Sequence, residues 1–428
     1  MGSYHPTTTH QRSEAKMLSV LHNPTYAKLF GAQMVALLGT GLLTVALGLL
    51  AFQIAGGNAG IVMGTAMSIK MVAYVGVSPL MTAISSRFQP KHVLVAADAI
   101  RAVVALCLPL VTEAWQIYIL IFLLQSASAT FTPTFQAVIP SVLPDEDEYT
   151  KALSLSRLAY DLESLVSPMI AAALLTVITY NNLFVGTAVG FIASTLLVLW
   201  AAFPQVPRSE GTRFSDRLTQ GVRAFWAKPE LRSLMGLNLA VAATSAMVIV
   251  NTVVIVQGSL GRSESDVALL LAANGAGSMV VALSMPRLLR KLSDHVAMLA
   301  GGTALPALLL LAVASLAWLE GPAQWGALLA LWAIIGAATS AVLTPSARLV
   351  TRNSTEDNRS SVFAAQFSLS HACFLLTYPL AGIVGASIGL PNISAVLAVL
   401  GFLGLGFALR NWRPAPSPST RLSLGAGE

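Results

Sequence analysis

Charge is what this chain has least of. Only 10% of its 428 residues are Asp, Glu, Lys or Arg, against about 25% in soluble domains. A soluble core large enough to explain that deficit would still need a charged shell, so a water-soluble globular protein is excluded. A lipid-facing surface accounts for it directly. Cysteine is scarce too: Cys107 and Cys373 both lie in apolar stretches, which excludes a disulfide framework. No Gly-rich phosphate loop of the Walker type occurs, and no soluble domain to hold one, so an ATP-driven pump is not expected. Neither a His-Glu-x-x-His pair nor a nucleophile–base constellation occurs, so the chain is not expected to be an enzyme. The first 27 residues contain no apolar core of a cleavable signal and read as a polar, disordered leader.

What is present is apolar length. Hydrophobic residues make up 55% of the chain. No charged residue occurs in 29–69, 164–207, 233–261 or 360–409, and each run exceeds the roughly 20 residues that cross about 30 Å of hydrocarbon as a helix. The runs are continuously apolar rather than alternating, which rejects a β-barrel. Read between charged or Pro/Gly breaks, they give twelve spans: 28–52, 59–84, 93–112, 116–138, 153–178, 183–203, 232–256, 266–288, 295–317, 325–347, 361–386 and 393–410. The fold class is therefore an all-α membrane protein of twelve transmembrane helices.

The net charge of +6 does not point to nucleic acid, because of where it sits. With both termini inside, the cytoplasmic segments hold 21 of the 25 Lys and Arg residues and the outer loops hold one, Arg262. The positive-inside rule then places both termini in the cytoplasm of a bacterial inner membrane. The basic stretch 204–231 is the only long internal connection. It divides the chain into a leader (1–27), a first six-helix half (28–203), a second half (232–412) and a tail (413–428). The halves echo each other: Thr132-Pro133 and Thr344-Pro345 lie 212 residues apart, and Pro168 and Pro379 lie 211 apart. A duplicated unit with a site at the membrane midplane is how many secondary transporters are built.

Charges at bilayer depth cost roughly 2.5–3.5 kcal/mol on insertion scales, so those that persist usually have a role. Lys70 lies in the second span, Asp161 and Glu163 in the fifth, and His371 and Cys373 in the eleventh. Counting rises of 1.5 Å per residue puts Lys70, Glu163 and His371 near a depth of roughly 15 Å. Asp161 and Glu163 are read as proton carriers. Lys70, Glu163, His371, Cys373, Gln33 and Gln366 are read as substrate-binding. The donor set of Asp161, Glu163, His371 and Cys373 also suits a borderline divalent metal. Against these stand plainer readings: Lys70 pairing with a carboxylate, His371 and Cys373 as core, and glutamines bonding neighbouring helices. The acidic turn Asp145-Glu146-Asp147-Glu148 reads as a solvated helix start.

The six-plus-six plan resembles the major facilitator superfamily over 26–412. Between the second and third spans that family carries Gly-x-x-x-Asp-Arg-x-Gly followed by basic residues. Here the stretch is Thr82-Ala-Ile-Ser-Ser86-Arg87-Phe88-Gln89-Pro90-Lys91. Arg87 and Lys91 match, while Thr82, Ser86 and Gln89 depart. The resemblance implies a gate at Arg87 and Lys91, with Asp98 and Arg101 standing in for the missing aspartate. The stretches 156–168 and 363–379 look like the drug:proton antiporter branch, and within it the permeases linked to nickel resistance. The resemblance thus implies a monomeric, proton-driven exporter without cofactor. Its cargo is expected to be a divalent metal such as nickel or cobalt, or alternatively an amphiphilic organic compound; a non-transporting sensor or scaffold is the other class.

Overall fold

A computed structural model describes residues 18–77, 88–203, 214–355 and 358–412; inside helices a few further side chains, among them those of Arg157 and Asp161, lie outside the description. The described residues are helical almost throughout. The first helix, α1 (Pro24–Ala55), starts where its sequence dictates. Asn23 accepts from the backbone N–H groups of Thr25 and Tyr26 at 3.0 and 3.1 Å, and Pro24 supplies the fixed φ of a first helical turn. The helix α2 (Ala59–Val72) follows after a tight turn at Gly56–Asn58 and runs on through a π-helical segment, Ala73–Val77. Then come α3 (Pro90–Cys107), α4 (Ala114–Val142), α5 (Glu146–Leu174) and α6 (Tyr180–Trp200).

The connection contributes a short helix, α7 (Phe214–Ala227). The second half comprises α8 (Pro229–Val253, continued by a π turn Val254–Ser259), α9 (Glu264–Leu288), α10 (Asp294–Trp318) and α11 (Gly321–Arg352). It closes with α12 (Arg359–Pro379, continued by Leu380–Val384 and Gly385–Ile388) and α13 (Leu390–Asn411). Among the described residues ten stretches are long and apolar enough to cross a membrane; the first, Pro24–Val77, takes in both α1 and α2, and neither α5 nor the short α7 is among them. The exception is instructive. The least polar stretch of α5, residues 157–174, still carries Arg157, Asp161 and Glu163, so α5 is the helix whose place among eleven apolar ones is set by packing rather than by its own hydropathy. Dividing the first stretch at the Gly56–Asn58 turn and adding α5 brings these ten to the twelve spans expected from the apolar runs, among the described residues.

One sequence expectation needs correction. The leader is not featureless up to residue 27: Leu18–His22 forms a 3-10 turn, and Val20 is buried with Tyr26 in the core of the first half. The acidic turn is the helix start that its sequence suggested. Asp145 accepts from the Glu148 N–H at 2.9 Å and 146–148 already belong to α5, the arrangement in which a carboxylate offsets the positive helix end.

Within the first half α1 packs on α5 and α6, and α3 on α4 and α6. Within the second, α8 packs on α12 and α13, and α10 and α9 on α11. Polar atoms that cannot meet water bond between helices. Tyr26 Oη donates to the Ala152 carbonyl (3.1 Å) and Thr187 Oγ1 to the Gly39 carbonyl (2.9 Å). Thr377 Oγ1 donates to the Ala242 carbonyl (3.1 Å), and the buried Trp332 Nε1 to Thr252 Oγ1 (3.0 Å). Large apolar residues face outward, with Val103, Val189, Val280 and Leu403 all more than half exposed. Such a belt around a whole molecule would be an aggregation surface in water and is ordinary against lipid.

The halves meet along two seams, α2 against α12 and α5 against α9. The end of the bundle away from the chain termini is the closed one: there the Gly56–Asn58 turn packs on the Val254–Ser259 turn, and α1 and α2 both reach α8. Among the described residues no extended packing joins α4 to α11, the pair that would close the end bearing the termini.

Candidate functional site

The site is built on the two seams. On α5, Glu163 is half-buried and its carboxylate lies against α1 at Gly41: a Cβ placed on Gly41 would come 2.6 Å from Glu163 Oε1 and would collide with Ser167 as well. Ser167 is one helical turn beyond Glu163 on the same face and is fully buried, with its hydroxyl 3.5 Å from the Leu38 carbonyl. Across from them, Lys70 of α2 is also half-buried and acts on Glu163 electrostatically. Among the described residues no ion pair joins the two. A cation and an anion thus share the middle of the bundle without being locked to each other.

Lys70 sits one turn from Tyr74 on α2, its Nζ 6.0 Å from the ring centre. Tyr74 reaches over the seam to α12, where its ring is 5.8 Å from His371 and 6.3 Å from Phe367. The His371 ring is itself tilted against Phe367, ring centres 3.9 Å apart, and its Nδ1 is 2.7 Å from the Phe367 carbonyl. The imidazole is therefore already engaged with its own helix and with rings.

The described members of the expected metal set, Glu163, His371 and Cys373, are not gathered by this geometry. Residues two apart on a helix point to different sides, so His371 faces the α2 seam while Cys373 is buried among core residues, 6% exposed. The same spacing separates Glu163 from Asp161, whose side chain lies outside the described residues. Among those that are described, no three of His, Cys, Asp and Glu gather closely enough to hold an ion.

The remaining expected residues resolve case by case. Gln33 accepts from Ser156 Oγ at 2.9 Å between α1 and α5, the plain structural role. Gln366 is half-buried on α12 beside Phe367. Arg87 lies outside the described residues. Lys91 donates to the Leu199 and Ala201 carbonyls at 2.7 and 3.0 Å, capping the C-terminus of α6, where a cation complements unsatisfied carbonyls. Asp98 and Arg101 do form an ion pair, but every partner belongs to one half. Ser194 donates to Asp98 at 2.6 Å, and the guanidinium lies between the Phe131 and Phe191 rings at 4.4 and 4.6 Å. With Asp98 at 0% and Arg101 at 4% exposure, the pair ties α3 to α4 and α6. It does not bridge the halves, as a gate clamp would.

Four residues of this region escaped the reading by type: Gly41, Ser167, Tyr74 and Phe367. The ring residues carried a usable signal, because Lys70/Tyr74 and Phe367/His371 are both four apart and so share a helix face. Gly41 carried none, since its role is to be absent.

The family model for the Major Facilitator Superfamily matches residues 29–322 and 234–427. Over 356 residues the chain is 23% identical to an uncharacterized MFS-type transporter, YfiS, of Bacillus subtilis strain 168, covering 79% of this chain and 84% of that one. Over 154 residues it is 27% identical to macrolide efflux protein A of Enterococcus faecalis, covering 34% of this chain and 47% of the relative, so it spans about half of that relative's length. Among solved structures, a mutant of the nucleoside transporter NupG matches with a TM-score of 0.71 at 12% identity, over 91% of this chain and 100% of that one. A bacterial homolog of the human lysosomal transporter Spinster, inward-facing and unoccupied, matches with a TM-score of 0.66 at 14% identity, over 91% and 98%. At these identities the structural matches speak for the fold alone.

Proposed function

Because this chain belongs to the Major Facilitator Superfamily, we propose that it is a proton-coupled exporter of amphiphilic organic compounds in a bacterial plasma membrane, with both termini in the cytoplasm. The observation that carries this reading is the half-buried Glu163 carboxylate between α1 and α5, facing Lys70 without an ion pair to it. A carboxyl held away from water and not neutralised by a fixed partner is suited to trading a proton.

Orientation rests on the Lys and Arg asymmetry. In that orientation the closed end faces outward, and the end bearing the termini, where α4 and α11 are not packed together among the described residues, faces the cytoplasm. Cargo enters there, the halves rock, and a proton taken up by Glu163 from outside is released inside on return. The energetics suit a singly charged amphiphile: moving one positive charge out against 100 mV costs about 2.3 kcal/mol, and one incoming proton cancels it.

Organic cargo is favoured over a metal on two grounds. The described residues gather no ion-binding cluster, while Tyr74, Phe367 and Phe374 bring aromatic surface to the seam around His371. The efflux proteins among the relatives lean the same way.

The test is transport in everted membrane vesicles with a macrolide, ethidium and nickel as separate probes. Glu163→Gln is expected to abolish pH-gradient-driven uptake of an organic probe while leaving membrane insertion intact. Undiminished gradient-driven uptake by that variant would refute the coupling role, and uptake of nickel alone would return the cargo to metals.

A further inference from the structure

Glu163 is not merely placed beside α1; it occupies a space that only a glycine leaves. Any side chain at Gly41 would come 2.6 Å from the carboxylate oxygen and would overlap Ser167. We propose that Gly41 is the positioning residue for the proton-carrying carboxyl, its bare backbone serving as the seat of Glu163, and that α1 relays the state of that seat to the closed end of the bundle. This rests on the proton-coupled reading of Glu163 given above.

The relay follows from what α1 does one turn further along. Thr44, Val45 and Gly48 of α1 face Ile249, Thr252 and Val253 of α8 across a cavity of about 30 Å³. That is one of the places where the first half touches the second. A shift of α1 at Gly41, called for whenever the carboxyl changes its charge and its need for hydrogen bonds, is therefore delivered to the seam three to seven residues away. Packed helices transmit such shifts because they have few alternative arrangements.

The surroundings of Glu163 leave few other candidates for reading its charge. From α2 come Lys70 and the phenol of Tyr74, and on α5 itself Asp161 lies two residues away. The helix α1 brings no charge near this level, its single charged residue being Lys28 at the far end. The charged residues of α9, Glu264, Asp266 and Arg287, lie near its two ends. On α12, His371 is on the other side of Lys70, turned to Tyr74. What meets the carboxylate from α1 is backbone.

The decisive experiment needs no cargo. Purified full-length protein in lipid nanodiscs is titrated between about pH 5 and 9 while the protonated-carboxyl stretch is followed by infrared difference spectroscopy. The component lost in Glu163→Gln belongs to Glu163. Gly41→Ala is expected to move the midpoint of that component by at least about half a pH unit. Ser167→Ala, which adds no bulk and covers the case in which Gly41→Ala does not fold, is expected to move it too. Gly186→Ala, whose new methyl would meet only Leu42 at an ordinary 3.5 Å, leaves it in place.

Wild-type midpoints in both Gly41→Ala and Ser167→Ala overturn the seat while sparing the coupling role. Coincident spectra of wild type and Glu163→Gln at every pH mean that Glu163 never trades a proton, and then both fall. For the relay, Gly48→Cys is introduced with Cys107 and Cys373 replaced by Ala and labelled with a water-soluble maleimide. Its labelling rate is expected to change several-fold across that pH range and to lose the change with Gly41→Ala. An unaltered pH response with Gly41→Ala overturns the relay.

Discussion

Tyr74 and His371 face one another across the seam between the halves, ring centres 5.8 Å apart, so the histidine expected to bind cargo is also a packing element of the contact between the two repeats. Pairs of rings contribute about 0.5–1.5 kcal/mol beyond their buried area. His371→Phe is therefore expected to keep at least half of wild-type transport, and His371→Ala to lose several-fold more than His371→Phe. Export of an organic probe from cells measures both. Equal loss in the two variants would assign the role to imidazole chemistry instead.

The Asp98–Arg101 pair predicts a stability phenotype rather than a gating one. Asp98→Ala leaves a guanidinium buried without its partner, which costs roughly 3–5 kcal/mol. Arg101→Met with Asp98→Asn is expected to recover most of that loss, because each remaining group then fits its surroundings without net charge. Thermal unfolding in detergent reads the effect. A strong transport defect with unchanged melting would make the pair a moving part after all.

The seam of α2 with α12 is closed by backbone. A Cβ on Gly64 would come 2.7 Å from the Tyr378 carbonyl and 2.9 Å from Gly382 Cα, and one on Gly382 would come 2.8 Å from Gly64 Cα. The π-helical turn Leu380–Val384 falls at this crossing, and the carbonyl of Ala381 is taken by Asn251 at 3.0 Å. Gly382→Leu is expected to hold the halves apart there and lower transport at least about tenfold, a differential of roughly 1.4 kcal/mol or more between the open and closed arrangements. Gly406→Leu, with nothing near its missing side chain, is the control and is expected to behave as wild type. Maleimide accessibility of a cysteine placed at Gly258 distinguishes the open arrangement from an unfolded protein.

Capping gives a milder expectation. Lys28 and Lys91 both donate to carbonyls at the C-terminus of α6, Lys28 to Trp200 at 3.0 Å. Lys91→Ala is expected to cost about 0.3–1 kcal/mol in melting experiments and to leave the transport rate per folded molecule unchanged.

The sequence was most legible where a residue's own chemistry decides its place. Apolar runs became spans because unpaired backbone is intolerable in lipid, and α5 was legible as polar from Arg157, Asp161 and Glu163 alone. Counting rises put Lys70, Glu163 and His371 at similar depth, and Lys70 and His371 do lie near the same ring of Tyr74. Direction around the helix did not follow. The pair His371/Cys373 was read as joint ligands, yet a two-residue step turns a side chain to a different face, and Cys373 ended in the core. Lys91 and Arg101 were read as gate residues from their position in a motif, whereas their partners are set by tertiary contacts with α6 and α4 that no local pattern encodes. Gly41 was invisible for the opposite reason: its neighbour's chemistry, not its own, gives it meaning.

A joint between two rigid bodies that is lined with main chain rather than side chains has a mechanical virtue. Where Gly60 and Gly64 lie on Gly382, separation at that crossing meets backbone on backbone and leaves no side-chain rotamers to disengage there. The door facing away from the termini is thus cheap to unlatch, and the work of turning the molecule over falls on the charged middle around Lys70 and Glu163, where we place the exchange of cargo and proton.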